Sequence, residues 1–303
     1  MRPAVLPASV VSVAAVASAA VAALLAAAAC APVDDPPSTG SGSGTTSAGA
    51  GLSADCGKDR LTTRTAGTFT FGTDQPAYPP WFVDDEPSNG RGFESAVAYA
   101  VAAKLGYDKA DVTWTAVPFN AAIQPGPKQF DADINQFSIN DDRKQAVDFS
   151  SPYYDVTQTV VVIGDSPAAA ATSVAELKQF KIGAQVGTTS YTAIVEQIRP
   201  DQQPGVYNTN DDAKAALANG QIQALILDLP TAFFVTSELD GALILGQLPQ
   251  AGGEPERFGI VLDKGSPLTT CVSSAVDALR ADGTLADLER LWLAEAGNAP
   301  ELK

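Results

Sequence analysis

The chain has 303 residues, a formal charge of −16, three cysteines and no histidine. The acidic balance argues against nucleic acid and anionic membrane surfaces as partners. The missing histidine excludes Ser-His-Asp and Cys-His catalysis and any Cys/His metal cluster. The length allows one large domain or two modest ones, each with its own core.

Residues 1–30 read as a targeting segment. Arg2 supplies a small positive start, Val10 to Ala29 is apolar, and Cys30 follows Ala27-Ala28-Ala29. A small-residue cleavage site ending in Cys resembles a bacterial lipobox, in which Cys30 becomes the lipidated first residue. Ala27 stands where leucine is usual. A secretory signal cut elsewhere and an uncleaved anchor are the other readings, and all three place the rest outside the cytoplasm. Residues 31–54 are rich in Gly, Ser, Pro and Thr with almost no large apolar residue. Such a stretch cannot offset the entropy of ordering, so it is expected to be a flexible tether. Cys56 and Cys271 remain; in an oxidising compartment they are expected to pair, the alternative being two buried thiols.

Thr68 to Gly72 alternates and reads as the first strand. Asp74, Tyr78 and Trp81 follow beside prolines, in a rigid loop that presents aromatics; Trp81 is assigned to the core. Arg91 opens an amphipathic helix that runs to Lys104 and ends at Leu105-Gly106. Asp111 to Val117 is the next strand. Phe119 follows it, in a helix cut short by Pro125 and Pro127.

Phe130 to Ser151 combines a strand with period-two apolar residues (Ile134, Phe137, Ile139), a helix start at Asn140-Asp141-Asp142, and a second short strand ending at Phe149. Asp133 should share a strand face with Asn135, and either extends an acidic lining or sits at a solvated edge. Arg143 falls one turn into the helix. There a guanidinium and free N–H groups could receive a carboxylate, although an ordinary surface arginine is the plain alternative.

Thr157 to Ile163 is a strongly β-prone run. Ser173 to Phe180 has the S-x-x-E capping-box form. Lys181 to Tyr191 gives a strand, a glycine turn and a helix start that Thr189 could cap. Asp211 to Gly220 is a short helix, and Ala224 to Asp228 a buried strand ending in a carboxylate that must find a partner, cap the next turn or stay wet. Leu268 to Leu293 reads as two helices split at Ala281-Asp282-Gly283-Thr284.

Taken together, S-I-N-D-D-R…V-D-F-S-S-P-Y-Y resembles the S-I-T-x-x-R…V-D-F-S-x-P-Y-Y signature of the family 3 extracellular solute-binding proteins, the amino-acid receptors of ABC importers. G-T-D-Q-P-A-Y-P-P-W, K-I-G-A-Q-V-G-T-T, the strand ending at Asp228, F-G-I-V and the closing helices repeat the resemblance in order, over about residues 56–295. It implies an α/β fold of the two-lobed periplasmic-binding-protein type II. Lobe 1 would take 55–155 and 259–303 and lobe 2 156–258, each a mixed sheet flanked by helices, with crossings near 156–160 and 246–258. The ligand would lie between the lobes.

The resemblance places Asp74, Tyr78, Phe119, Asn135, Gln136, Ser138 and Gln185 at that cleft. Arg143, the backbone N–H of Asn140, and Thr188 with Thr189 from the opposite side would hold the ligand's carboxylate, and Asp228 its α-ammonium. Gln223 replaces an earlier Asp of the family motif and Asn140 a Thr. The helix from Arg91 is read as scaffold. The acidic pair Asp74 and Asp133 leans toward a cationic or polar amino acid. The implied partner is a membrane permease; the protein is expected to act as a monomer, without cofactor and without catalysis. The rivals are an enzyme on the same fold, resembling cyclohexadienyl dehydratase, and a sensor that hands ligand to a receptor.

Overall fold

A computed structural model describes residues 52–250, 255–293 and 299–303. Cys30, the expected leader and nearly all of the tether lie outside the described residues.

The first elements are β1 (Phe69–Thr73), α1 (Phe93–Lys104), β2 (Val112–Ala116), α2 (Phe119–Ala122), β3 (Ala132–Asp133), α3 (Asp141–Ala146) and β4 (Val147–Phe149). β5 (Tyr154–Val156) leads to β6 (Gln158–Ile163), α4 (Val174–Leu177), β7 (Ile182–Gln185), α5 (Thr189–Ala193), β8 (Gly205–Tyr207), α6 (Asn210–Ala218), β9 (Ala224–Asp228), α7 (Leu229–Glu238) and β10 (Ala242–Gln247). The chain returns through β11 (Glu256–Phe258) and β12 (Val261–Asp263) to α8 (Thr269–Ala281) and α9 (Thr284–Leu293).

These form two mixed five-stranded sheets, in the orders β2-β1-β3-β12-β4 and β10-β6-β9-β7-β8. The first is lobe 1 and the second lobe 2. In each, parallel strands are joined through helices, and the strand that arrives from the other lobe runs antiparallel. β5 and β11 pair with each other as a separate two-stranded ribbon, so the two crossings between lobes lie side by side. The first crossing is thus Tyr154–Val156, and the β-prone run from Gln158 belongs wholly to the second sheet.

Hydrophobic burial explains the layers. Val97, Ala98, Val101 and Ala102 of α1 pack with Val272, Ala275, Val276 and Leu279 of α8 over Phe69 and Phe71. Ala and Val at helical spacing allow close helix-on-sheet approach. Trp81, Phe93, Tyr154 and Phe258 meet with ring centroids 5.5–6.1 Å apart and anchor the crossing ribbon to lobe 1. Trp81 is fully buried, as its core assignment requires. In lobe 2 separate clusters fill the two faces of the sheet, around Val160, Ile182 and Ile226 on one side and Val161, Leu225 and Leu227 on the other. Cys56 and Cys271 form a disulfide that ties the entry of the described chain to α8.

Three expectations are corrected here. The strand read from Phe130 stops at Asp133, because Gln136 takes a left-handed backbone (φ 48°) that no strand can accommodate. Asp133 is neither on the cleft nor at a wet edge. It is fully buried beneath Gly72, where an added Cβ would come 2.4 Å from its Oδ2. Among the described residues its carboxyl group has no hydrogen-bond partner, and burial pushes its pKa well above the usual range. Finally, the tail does not stay with lobe 1. Pro300 and Leu302 pair with Gln247 of β10, and the carbonyl of Lys303 accepts from Val174 N at the start of α4.

The Gln136 kink has a specific cause. Glu94, in the first turn of α1 and fully buried, accepts from Gln136 N at 2.7 Å, from Gln136 Nε2 and from Tyr153 Oη. The helix taken as scaffold therefore also shapes the chain at the cleft. Burial pushes the Glu94 carboxyl from 4.5 up to about 7, against the pull of these donors. The folded chain then holds a proton that the unfolded chain releases at lower pH. This contribution is present below pH 4.5 and lost as the pH rises through about 7. Asp133 acts in the same direction. Melting curves of Glu94→Gln across pH 4.5–7.5 should show a shallower fall in stability than the parent, by up to about 3 kcal/mol. An unchanged pH slope would rule out Glu94 as a source of it.

Candidate functional site

Between the lobes lies a cavity of ≈ 40 Å³, walled by Asp74, Pro76, Tyr78, Phe119, Asn135, Gln136 and Arg143 from lobe 1 and by Gln185, Thr188, Thr189, Ser190, Asn210 and Asp228 from lobe 2. This holds only a few waters. A larger solute enters only if the lobes part. The lobe 1 wall is the set of loops at the ends of β1, β2 and β3; the lobe 2 wall lies at the ends of β7, β8 and β9.

On the lobe 1 side, Asp74 accepts from Phe119 N at 3.1 Å and from Gln75 N at 2.8 Å, which ties the β1 loop to the start of α2. Tyr78 turns its hydroxyl toward Asp211 of α6, and burial together with that carboxylate raises its pKa. Asn140 caps α3, its Oδ1 accepting from Arg143 N at 2.9 Å, as the N-D-D motif suggests. That cap aims Arg143 inward.

Arg143 is the central group. It is 7% exposed, donates from Nη1 to Ser138 O at 2.7 Å and from Nη2 to Gly187 O at 2.9 Å, and lies over the Phe119 ring at 5.4 Å. Ser138 belongs to lobe 1 and Gly187 to lobe 2, so one guanidinium spans the cleft. None of the ion pairs formed among the described residues includes it. Burial lowers its pKa to about 10, while Glu256 and Asp228 pull the other way. Two of its five N–H donors are spent on carbonyls.

On the lobe 2 side, β7 ends in the turn Val186-Gly187-Thr188. Gly187 has φ +76°, and an added Cβ would lie 2.2 Å from Asn120 Oδ1 of lobe 1. Glycine is thus required twice, by the left-handed backbone and by the approach of the other lobe. The cap of α5 is Thr188, whose Oγ1 accepts from Tyr191 N at 3.2 Å and donates to Gln185 O at 2.7 Å, rather than Thr189. Thr189 also walls the cavity, with its Oγ1 donating to Glu256 Oε1 at 2.5 Å.

Asp228 occupies the N-cap position of α7, yet its side chain makes no capping bond. Its Oδ1 instead accepts from Gln158 Nε2 at 2.8 Å. Burial pushes its carboxyl well above the usual range and Glu256 adds to this, against the Gln158 amide and Arg143. The sequence left open a cap, a partner or a wet carboxylate; the structure shows a partner.

Of the residues expected at a cleft, all but Ser138 and Asn140 wall the cavity. Ser138 instead stands behind it, its Oγ donating to Glu256 Oε1 at 2.5 Å and 3.1 Å from Thr189 Oγ1. Sequence reading missed Glu256, Gln158, Ser190 and Asn210. Gln158 and Glu256 sit among β-prone and loop residues with no local motif. Asn210 could have been found, as it follows the Thr209 cap of α6.

The model of bacterial extracellular solute-binding proteins, family 3, matches residues 69–295. The L-arginine-binding protein of Pseudomonas aeruginosa is 30% identical over 229 residues, which is 71% of this chain and 86% of that protein. Among solved structures, an ancestral arginine-binding protein bound to glutamine superposes with a TM-score of 0.63 at 30% identity, covering 75% of this chain and 98% of the other. An ancestral amino acid-binding protein described as a precursor of cyclohexadienyl dehydratase does so with a TM-score of 0.61 at 28% identity, covering 75% and 95%. The chain belongs to the bacterial extracellular solute-binding proteins of family 3.

Proposed function

We propose that the protein captures a free α-amino acid with a cationic side chain outside the cytoplasm and delivers it to the permease of an ABC importer. The observation that carries this is the placement of Arg143, a buried cation without an ion-pair partner among the described residues, and Asp228, a carboxylate released from capping, on opposite lobes of one cavity. A buried unpaired guanidinium is costly, and a ligand carboxylate would complete its set of acceptors. The ligand's α-ammonium would do the same for Asp228. Since the two groups come from different lobes, the ligand earns both contacts only with the lobes closed, and so shifts an open–closed equilibrium toward the closed form.

The cationic preference rests on charge. Arg143 is the lone cation of the wall, against Asp74 and Asp228, with Glu256 directly behind. Arginine is the cargo named for similar proteins. The enzyme alternative is disfavoured by the same hydrogen bonds. Asp74 is held by backbone N–H groups and Asp228 is committed to the ligand's ammonium, which leaves neither wall carboxylate for general acid–base work. Lipidation at Cys30 would retain the domain at the outer face of the cell membrane as a monomer on its tether. Among the described residues no helix is long and apolar enough to cross a membrane.

Thermal shifts of the domain, stripped of ligand by unfolding and refolding, against the twenty amino acids should single out arginine or lysine. A ligand at 100 times its dissociation constant adds about 2.7 kcal/mol. Arg143→Ala and Asp228→Ala should each abolish the shift. A shift produced by a compound lacking either charged group, and kept in both variants, would contradict the clamp. Gly187→Ala should weaken binding by about tenfold or more, because its Cβ meets Asn120 as the lobes close. An affinity equal to the parent's would show that the lobes do not approach this closely when loaded.

A further inference from the structure

Glu256 lies on β11, in the ribbon that joins the lobes, and does not wall the cavity. Its Oε1 accepts from Ser138 Oγ of lobe 1 at 2.5 Å and from Thr189 Oγ1 of lobe 2, also at 2.5 Å. Its Oε2 accepts from Gln158 Nε2 at 3.0 Å. That same amide nitrogen donates to Asp228 Oδ1 at 2.8 Å, and Ser190 Oγ holds the amide oxygen at 2.7 Å. One carboxylate at the hinge thus collects a donor from each lobe and, through Gln158, orients the carboxylate that faces the cavity.

We propose that Glu256 is a positioning residue for capture: it latches the lobes together across the hinge and sets Asp228, through Gln158, toward the ligand's ammonium. This rests on the amino-acid reading above. The chemistry requires a carboxylate. A carboxylate accepts at both oxygens and offers no N–H, and three donors from three segments converge on this one. An amide at 256 would turn an N–H₂ toward either the Gln158 N–H₂ or the two hydroxyls. The first turns Gln158 away from Asp228; the second loosens the contact between Ser138 and Thr189. Opening the lobes necessarily separates Ser138 from Thr189, so the latch exists only in the closed form and belongs in the dissociation rate.

The test compares the parent and Glu256→Gln with L-arginine, following intrinsic fluorescence by stopped flow. Trp81 is a suitable reporter, since its Nε1 donates to Thr231 Oγ1 of lobe 2 at 2.9 Å. The variant should release arginine about 10- to 100-fold faster, the scale of losing hydrogen bonds to a charged group, and its ligand-free melting temperature should equal the parent's. Release rates within about twofold of the parent's would overturn the latch while leaving the cleft reading intact. So would a lowered ligand-free melting temperature with unchanged release, which marks a merely structural carboxylate. A parent that binds neither arginine nor any other α-amino acid would overturn the cleft reading, and the latch with it.

Discussion

A buried arginine that bridges two lobes is the constraint on which this molecule turns. Arg143 is taken out of water, given two carbonyls as partners, and paired with no carboxylate among the described residues. Desolvating a guanidinium is tolerated only where other groups replace water. Here they are the carbonyls of Ser138 and Gly187, the face of Phe119, and the more distant charges of Asp228 and Glu256. Each comes from a different segment, and the Gly187 carbonyl is in place only when the lobes meet. The cation therefore couples the chemistry of the cleft to the shape of the whole protein.

The fold is arranged so that this coupling can work. Each lobe has its own core; a ribbon of two three-residue strands links them, and the C-terminal tail crosses from lobe 1 to lobe 2 as well. Polar contacts cross the seam: Trp81 to Thr231, Ser138 to Thr189, and Arg143 to Gly187. Such contacts exchange for water at modest net cost, unlike a packed apolar interface. Two rigid bodies on a narrow hinge, joined by exchangeable hydrogen bonds, make an equilibrium that a ligand of suitable charge can bias.

Much of the fold was legible in the sequence because local patterns carried it. β9 falls on residues 224–228 as read, and the break at Asp282-Gly283 separates α8 from α9. The positions of Arg143 and Asp228 at the cavity were legible for another reason: both sit in long motifs that resemble the family's despite the changes at Asn140 and Gln223. What escaped was set by contacts remote in sequence. Gln136 departs from a strand because Glu94, 42 residues away, holds it. Asp133 looked like a cleft acid by strand parity, which lost its meaning once the strand ended there. Glu256, 118 residues from Ser138, has no neighbour in sequence to announce it. The cap assignment moved by one residue, from Thr189 to Thr188, because either hydroxyl could serve and only the turn decides.

The most direct test of this account is a crystal structure of the domain with L-arginine. The account predicts the ligand carboxylate within about 3 Å of the Arg143 guanidinium and the α-ammonium at the same range from Asp228, with the lobes closed around both. A ligand seated elsewhere, with Arg143 still bound only to the carbonyls of Ser138 and Gly187, would contradict it.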